Sequence, residues 1–257
     1  SMVVDILNAD IVQNDTTICE GDSLVLGVSA SQNFAAGSSQ LSGTLNNGLV
    51  GYWPFNGNAN DVSSNSNDGT VNGASLTTDR FGNTNSAYSF DGDDVIDFVD
   101  GHDLQERTTN IWIYNTNTNW NQSLAFDNDY NSMTYGLTQA AININNNSIS
   151  AGQGGNITHK SGNVNQWYMV TISRNINETK FYFNGLLDTV TISGNHNTVW
   201  SNFVGFRLGG RIDNTRYWNG KIDDLAIWDR ALTDQEIQRL YDNNSYNWSP
   251  GGETTSS

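Results

Sequence analysis

Residues 166–173 read QWYMVTIS and residues 180–185 read KFYFNG, and these two runs decide the class of fold. In the first run the apolar side chains from Tyr168 to Ile172 fall at every second position, a period of two that places one face of a strand in a core. The second run ends in Asn184-Gly185, and Asn-Gly is the strongest short hairpin signal. Together the runs predict antiparallel strands joined by tight turns, which is an all-β fold.

The composition of the chain supports many short strands rather than long helices. The 257 residues include 25 glycines and only 15% charged residues, which suits polar turns between strands. One helix is predicted after Thr233, because Thr233 and Glu236 have the spacing of a capping box and Ile237, Leu240 and Tyr241 follow on one face. Aromatic residues make up 11% of the positions, enough for a sizeable core.

The net charge excludes two classes of partner. The chain has 11 basic and 27 acidic residues, a formal charge of −16. Nucleic acid and anionic membranes would be repelled, so neither is expected as a partner. No apolar run approaches the roughly 20 residues of a membrane span, so membrane insertion is not expected either.

Five segments of the chain carry a resemblance to a known family. In this order they resemble the laminin-G-like jelly rolls of the concanavalin A-like lectin and glucanase superfamily, over roughly residues 46–243. The segments are 48–55 (GLVGYWPF), 87–92 (AYSFDG), 166–173, 180–185 and 217–237 (YWNGKIDDLAIWDRALTDQEI). The resemblance implies a two-sheet antiparallel jelly-roll sandwich with one short C-terminal helix.

The two flanks of this module resemble pieces of a second one. Residues 17–26 (TICEGDSLVL) and 246–257 (YNWSPGGETTSS) are similar to strands of immunoglobulin-like modules in bacterial surface proteins. We therefore expect residues 1–45 and 244–257 to form parts of an Ig-like module into which the jelly roll, 46–243, is inserted. Cys19 has no partner for a disulfide within the chain and is expected to be a small buried hydrophobic residue.

The same resemblance sets the expected location of the protein. No signal peptide is visible, so a secreted or cell-surface protein is inferred from the style of the modules. Adjacent modules of a larger chain are the expected covalent neighbours.

Catalysis is not expected from the residues present. A glucanase of the superfamily would place two glutamates close together on one strand, about 5 Å apart at their carboxyl groups. No two of the five glutamates are near one another in the sequence. Asp127 and Asp129 are the alternative pair, and a polar loop is the competing interpretation.

A structural calcium ion is implied by the resemblance. Calcium prefers six to eight oxygen ligands from carboxylates, amides and backbone carbonyls. Residues 56–69 are rich in asparagine and aspartate, and in the superfamily such a loop is often tied by calcium to an Asp-Gly turn and to the last strand. The matching positions are Asn58, Asp61, Asp91 or Gly92, and Asp223. The alternative is that these side chains only form turns.

Carbohydrate recognition is the predicted function, since sugars bind to exposed aromatic planes flanked by polar groups. Trp53, Trp112, Trp167 and Trp228 fall in family-like strands and are expected in the core. Five other aromatic residues are the candidates for a binding surface, with buried loop anchors as the alternative. They are Trp120, Tyr135, Trp200, Tyr217 and Trp218. The basic residues Arg207, Arg211 and Arg216 precede the last two and would favour an acidic polysaccharide if they face outward.

The sequence thus predicts a noncatalytic binding or adhesion module that recognises carbohydrate or another cell-surface ligand. A structural spacer of a large adhesin, with no ligand of its own, is the alternative. A glycan-active hydrolase or lyase is the least favoured interpretation.

Overall fold

The computed structural model describes residues 43–98, 106–116, 122–125, 141–145, 148–153, 156–161, 163–191, 205–210, 217–248 and 254–256. All of them belong to one compact unit, Ser39–Ser257. Within these residues the chain is almost entirely β-structure, with one 3-10 turn (Gly43–Asn46) and one α-helix, α1 (Asp234–Ser245).

The described strands are short and follow one another along the chain. They are β1 (Leu49–Trp53), β2 (Gly69–Asn72), β3 (Ser75–Thr77), β4 (Ala87–Asp91), β5 (Val95–Phe98), β6 (Arg107–Asn115), β7 (Gln122–Ala125), β8 (Ala141–Asn145), β9 (Ser148–Gln153), β10 (Asn156–Ser161), β11 (Trp167–Arg174), β12 (Thr179–Phe183), β13 (Leu186–Thr191), β14 (Phe206–Leu208), β15 (Asn219–Trp228), β16 (Tyr246–Trp248) and β17 (Thr254–Ser256).

The strands form a two-layer antiparallel sandwich. The large sheet has the order β13-β12-β11-β6-β15-β4-β3, and β1 also pairs with β15. Opposite it lie a three-stranded sheet, β14-β5-β2, and a four-stranded sheet, β10-β9-β8-β7, with β14 next to β7. The predicted jelly-roll sandwich with one short helix is confirmed.

The main core fills the space between the layers. From the large sheet Trp53 is fully buried, and its ring meets Phe98 of β5 edge-on at 4.9 Å and Phe206 of β14 at 5.5 Å. Phe98 and Phe206 themselves stack at 4.3 Å. These rings join the two sheets, because inward-facing residues of each sheet interdigitate in a sandwich.

The outer face of the large sheet is covered in part by α1. Ile237 and Leu240 of the helix pack with Trp112, Met169 and Tyr182 of the sheet in a second core. The helix begins as predicted: the Glu236 backbone N–H donates to Thr233 Oγ1 at 3.2 Å, and the Thr233 N–H donates to Glu236 Oε2 at 2.9 Å. Both bonds satisfy amides that the first turn leaves unpaired.

The predicted hairpin at Asn184-Gly185 is confirmed. Phe183 pairs with Leu186 across a two-residue turn, and both turn residues have positive φ, 49° and 76°. That geometry matches the right-handed twist of the flanking strands, and Asn and Gly tolerate it best.

The start of the sandwich lies beside the end of its last strand, β15. Trp228 Nε1 donates to the Leu45 carbonyl at 2.7 Å, and Arg230 donates to the Thr44 and Asn47 carbonyls at 2.8 Å. The insertion into an Ig-like module stays a prediction, since Cys19 and its segment lie outside the described residues. In the C-terminal flank, β16 and β17 pair as an antiparallel ribbon.

Candidate functional site

An aromatic pair lies on the outer face of the large sheet, where Trp167 packs against the border of the second core. Tyr114 on β6 and Trp167 on β11 are register partners, and their ring centroids are 5.4 Å apart at 56°. Lys221 is opposite Tyr114 on the next strand, with Nζ 5.4 Å from the Tyr114 ring centroid. All three side chains are half-buried. We call these three residues the aromatic surface.

Polar groups border the aromatic surface. Lys221 Nζ donates to the Thr78 hydroxyl at 3.1 Å and to the Thr78 carbonyl at 3.4 Å. On the other side, the Thr116 hydroxyl donates to Asn219 Oδ1 at 2.6 Å. Among the described residues no carboxylate pairs with Lys221, so its charge is compensated only by neutral oxygens and an aromatic ring. The arrangement offers ring planes with donors and acceptors beside them.

Trp167 was expected in the core, and it is half-buried, packed against the border of the second core. Strand alternation contained the signal, because Trp167 is in phase with Thr171 and Ser173 rather than with Val170 and Ile172. Tyr114 is likewise in phase with Trp112, on the face away from the sandwich core.

A buried network of charges lies next to this surface. Asp223 and Asp224 of β15 both pair with Arg80, through Nη1 and Nη2 respectively, the second at 2.6 Å. The Tyr52 hydroxyl donates to Asp224 Oδ1 at 2.8 Å, and the Asp224 N–H donates to Asp223 Oδ1 at 2.9 Å. Burial raises the pKa of Asp223, and the charge of Asp224 raises it further, whereas Arg80 lowers it.

Asp61 anchors its loop with hydrogen bonds. Its Oδ1 accepts the N–H groups of Tyr52 and Ser63, and its Oδ2 accepts the Ser63 hydroxyl and the Asn67 N–H, all at 2.8–3.0 Å. Asp61 as a whole is 8% exposed. Its four lone-pair positions are therefore all used by protein donors.

The predicted calcium ligands have different surroundings. Asp61 has two protein donors on each oxygen, whereas Asp223 has one donor on each, from Arg80 and from the Asp224 N–H. Asn58 is exposed, and its Oδ1 accepts the Asn60 N–H at 2.9 Å, an Asx turn. Calcium binding at these positions stays a prediction.

The Asp91–Asp94 turn is the part of the described chain where carboxylates gather. Oxygens of Asp91, Asp93 and Asp94 lie within 4.8 Å of one another, and Gly92 has a φ of 112° between them. A hydrogen bond to Asp91, together with its charge, raises the pKa of Asp93. Burial raises the pKa of Asp94, and the charges of both neighbours add to this. Whether calcium binds here stays a prediction.

The predicted aromatic ligand residues have different outcomes. Trp218 is fully buried in the main core, so the prediction that it lies on a binding surface is wrong and the buried alternative holds. Tyr217 is half-buried and packs over Gly210. Trp120, Tyr135 and Trp200 lie outside the described residues.

Of the predicted basic residues and the predicted carboxylate pair, only Arg207 lies within the described residues. Arg207 forms an ion pair with Asp97 at 2.6 Å on the small sheet, whereas Arg211 and Arg216 lie outside the described residues, as do Asp127 and Asp129. Within the described residues, no helix is long and apolar enough to cross a membrane.

Comparison with protein families agrees with this geometry. The Laminin_G_3 family model, described as the concanavalin A-like lectin/glucanases superfamily, matches residues 90–238, more than half of the chain. The chain belongs to this family of laminin G-like domains.

Solved structures share the fold at low sequence identity. Domain 4 of AbnA, a GH43 extracellular arabinanase from Geobacillus stearothermophilus, in complex with arabinotriose, is 18% identical with a TM-score of 0.60, over 75% of this chain and 98% of that one. The receptor-binding domain of botulinum neurotoxin C/D mosaic serotype is 17% identical with a TM-score of 0.61, over 77% and 52%. Botulinum neurotoxin type C, which depends on interaction with two ganglioside molecules to enter cells, is 16% identical with a TM-score of 0.60, over 78% and 52%. The chain thus spans about half the length of the toxin chains.

Proposed function

We propose that this chain is a noncatalytic module that binds carbohydrate on the outer face of its large sheet. The observation that carries the proposal is the aromatic surface, where Tyr114 and Trp167 lie side by side on a face turned away from the sandwich core. Two ring planes at 56° offer an angled platform for the apolar face of a sugar ring. The border of hydroxyl, amide and amine groups matches the hydroxyl groups of a sugar.

The comparisons support this choice of ligand class. One structural neighbour is in complex with arabinotriose, and another depends for cell entry on gangliosides, which are lipids that carry an oligosaccharide. Those ligands belong to those proteins, and the fold alone is shared at this level of identity. For this chain the proposal rests on the aromatic surface.

The positions and ion pairs of the described glutamates favour a binding role over hydrolysis. The described glutamates are Glu106, Glu178 and Glu236; Glu178 lies 3.5 Å from Lys180, and Glu236 pairs with Arg230 at 2.7 Å. A glycosidase needs one carboxyl group to hold a proton and another to attack or to activate water, both beside the scissile bond. None of the three glutamates belongs to the aromatic surface.

We further propose that the module belongs to a secreted or cell-surface protein and acts in adhesion beside other modules of the same chain. The Ig-like character of residues 1–45 and 244–257, predicted from sequence, is the support for this setting. The insertion and the calcium ion stay predictions alongside it.

Calorimetric titration tests the proposed site. Arabino-oligosaccharides and sialylated glycans, first screened on a glycan array, are titrated into the full chain. We expect Trp167→Ala and Tyr114→Ala to weaken binding at least tenfold, and Trp167→Phe to retain most of it. Leu186→Ala, at a 66% exposed position on β13, is the matched control and should bind as the unmodified chain does.

Three outcomes would contradict the proposal. Unchanged affinity in both alanine variants would remove the aromatic surface as the site. The absence of any glycan ligand on the array would favour the structural spacer, and release of shortened sugars during titration would favour a hydrolase.

A further inference from the structure

Two neighbouring acids on β15 are turned towards the same cation. Successive residues of a regular strand face opposite sides of the sheet, but here the register between β15 and β6 shifts between Asp223 and Ala226, and Asp224 has a φ of 43°. This bulge lets Asp223 and Asp224 both reach Arg80. The two carboxylates are thereby brought together beside the buried guanidinium of Arg80.

The cation between them is well buried. The Arg80 side chain is 4% exposed, and the side chains of Asp223 and Asp224 are 3% and 12% exposed. The Arg80 guanidinium carbon also lies 4.5 Å from the ring centroids of Phe81 and Trp112. Burial would lower the pKa of Arg80, but the charges of Asp224 and Asp223 raise it, so the guanidinium stays charged.

Every carboxylate oxygen of the pair has a protein donor. Asp223 accepts from Arg80 Nη1 and from the Asp224 N–H, and Asp224 accepts from Arg80 Nη2 and from the Tyr52 hydroxyl. Calcium would need six to eight oxygens at 2.3–2.6 Å, and the guanidinium stands where such an ion would contact both acids. Fork-shaped donors fit two carboxylates better than a point charge does.

We propose that Arg80 is the resident cation of the Asp223–Asp224 pair and ties the loop of residues 78–86 to β15 without a divalent ion. The loop carries Thr78, which accepts the hydrogen bonds of Lys221, so Arg80 also positions one border of the aromatic surface. The inference concerns this chain's own residues and does not depend on which ligand the surface binds.

Thermal unfolding of the full chain tests the charge role of Arg80. Arg80→Met retains a long apolar side chain beside Trp112 but leaves two buried acids without their cation, and we expect Tm to fall by roughly 10 °C. Arg80→Met combined with Asp223→Asn and Asp224→Asn removes the charges together and should recover most of that loss. If Arg80→Met melts as the unmodified chain does, or if the triple variant melts no higher than Arg80→Met, Arg80 acts through packing and the proposal is overturned.

A chelator measurement keeps the proposal testable if Arg80→Met does not fold. The shift in Tm caused by EDTA is measured for the unmodified chain and for Asp223→Asn. Because no metal ion contacts this pair, we expect the EDTA shift to be the same in both proteins. An EDTA shift that is present in the unmodified chain and absent in Asp223→Asn would place a metal ion on Asp223 and overturn the proposal.

Discussion

Trp167 lies directly opposite Tyr114 across the β11–β6 ladder, on the outer face of the large sheet. Because β-strand side chains alternate, this position shares its face with Thr171 and Ser173, which are buried, whereas Trp167 and Tyr114 stay half-buried and Trp167 packs against the border of the second core. A sugar that binds here would gain mainly from contact with the rings rather than from charge.

Salt should therefore have little effect on binding of a neutral glycan. We expect its Kd to change less than about twofold between low and high sodium chloride, because stacking is not screened. Lys221→Met should likewise weaken a neutral glycan by no more than about threefold, the value of one exposed hydrogen bond. Titration calorimetry at both salt concentrations gives the answer. A steep loss of affinity with salt would instead identify an acidic glycan held by Lys221.

Replacement of Trp218 should affect stability and not ligand binding. Trp218 is fully buried, so Trp218→Ala should reduce the free energy of unfolding by about 3–5 kcal/mol. Within the described residues its indole Nε1 has no hydrogen-bond partner, so Trp218→Phe loses packing only and should cost less. Urea denaturation measures both variants. If a folded Trp218→Phe protein lost glycan binding, Trp218 would contribute to the ligand site, and the prediction that it acts only in the core would be wrong.

Asp61 should be the main stabilising residue of the first loop. Asp61→Ala leaves the buried N–H groups of Tyr52 and Asn67 without acceptors and should reduce the free energy of unfolding by about 3 kcal/mol. Asn58→Ala, in the same loop but exposed, is the matched control and should cost less than about 1 kcal/mol. Equal losses in the two variants, measured by urea denaturation, would argue against Asp61 as the anchor.

The start of α1 should make the protein sensitive to acid. The hydrogen bond from Arg230 lowers the pKa of Glu236 from its ordinary value of 4.5 to about 2. A depressed carboxyl pKa stabilises the fold fully above about pH 4.5, and this contribution is lost as the pH falls through about 2. Tm measured from pH 6 to pH 2, in roughly half-unit steps, should thus fall less steeply in Glu236→Gln and in Arg230→Met than in the unmodified chain. If Tm changed with pH by the same amount in all three proteins, the acid sensitivity would not come from the Glu236–Arg230 pair.

Calcium, if the Asp91–Asp94 turn binds it, should raise Tm. A ligand that binds only the native state at a hundredfold excess over Kd adds about 2.7 kcal/mol. Asp93→Asn should remove the response to calcium, and Asp242→Asn, on the exposed side of α1, is the control that should keep it. Identical melting curves in EDTA and in excess calcium would reject the ion altogether.

Local pattern was enough to predict the fold class and several details of this protein. The period of two in residues 166–173 predicted a strand, Asn184-Gly185 predicted its hairpin, and Thr233 with Glu236 predicted the start of the helix. Each signal depends on residues a few positions apart, whose backbone and side-chain preferences act within one element.

Only the tertiary structure decided which oxygens and rings are available to a ligand. Asp223 is 143 positions from Arg80 in the chain, and no local pattern indicates that the two side chains form an ion pair. Trp218 is fully buried in the main core, whereas Trp167 is half-buried at the border of the second core, and these environments are created by strands that are distant in the sequence. Burial and charge pairing are long-range properties, since they depend on which strands become neighbours, and for this reason the sequence predicted the scaffold more accurately than the site.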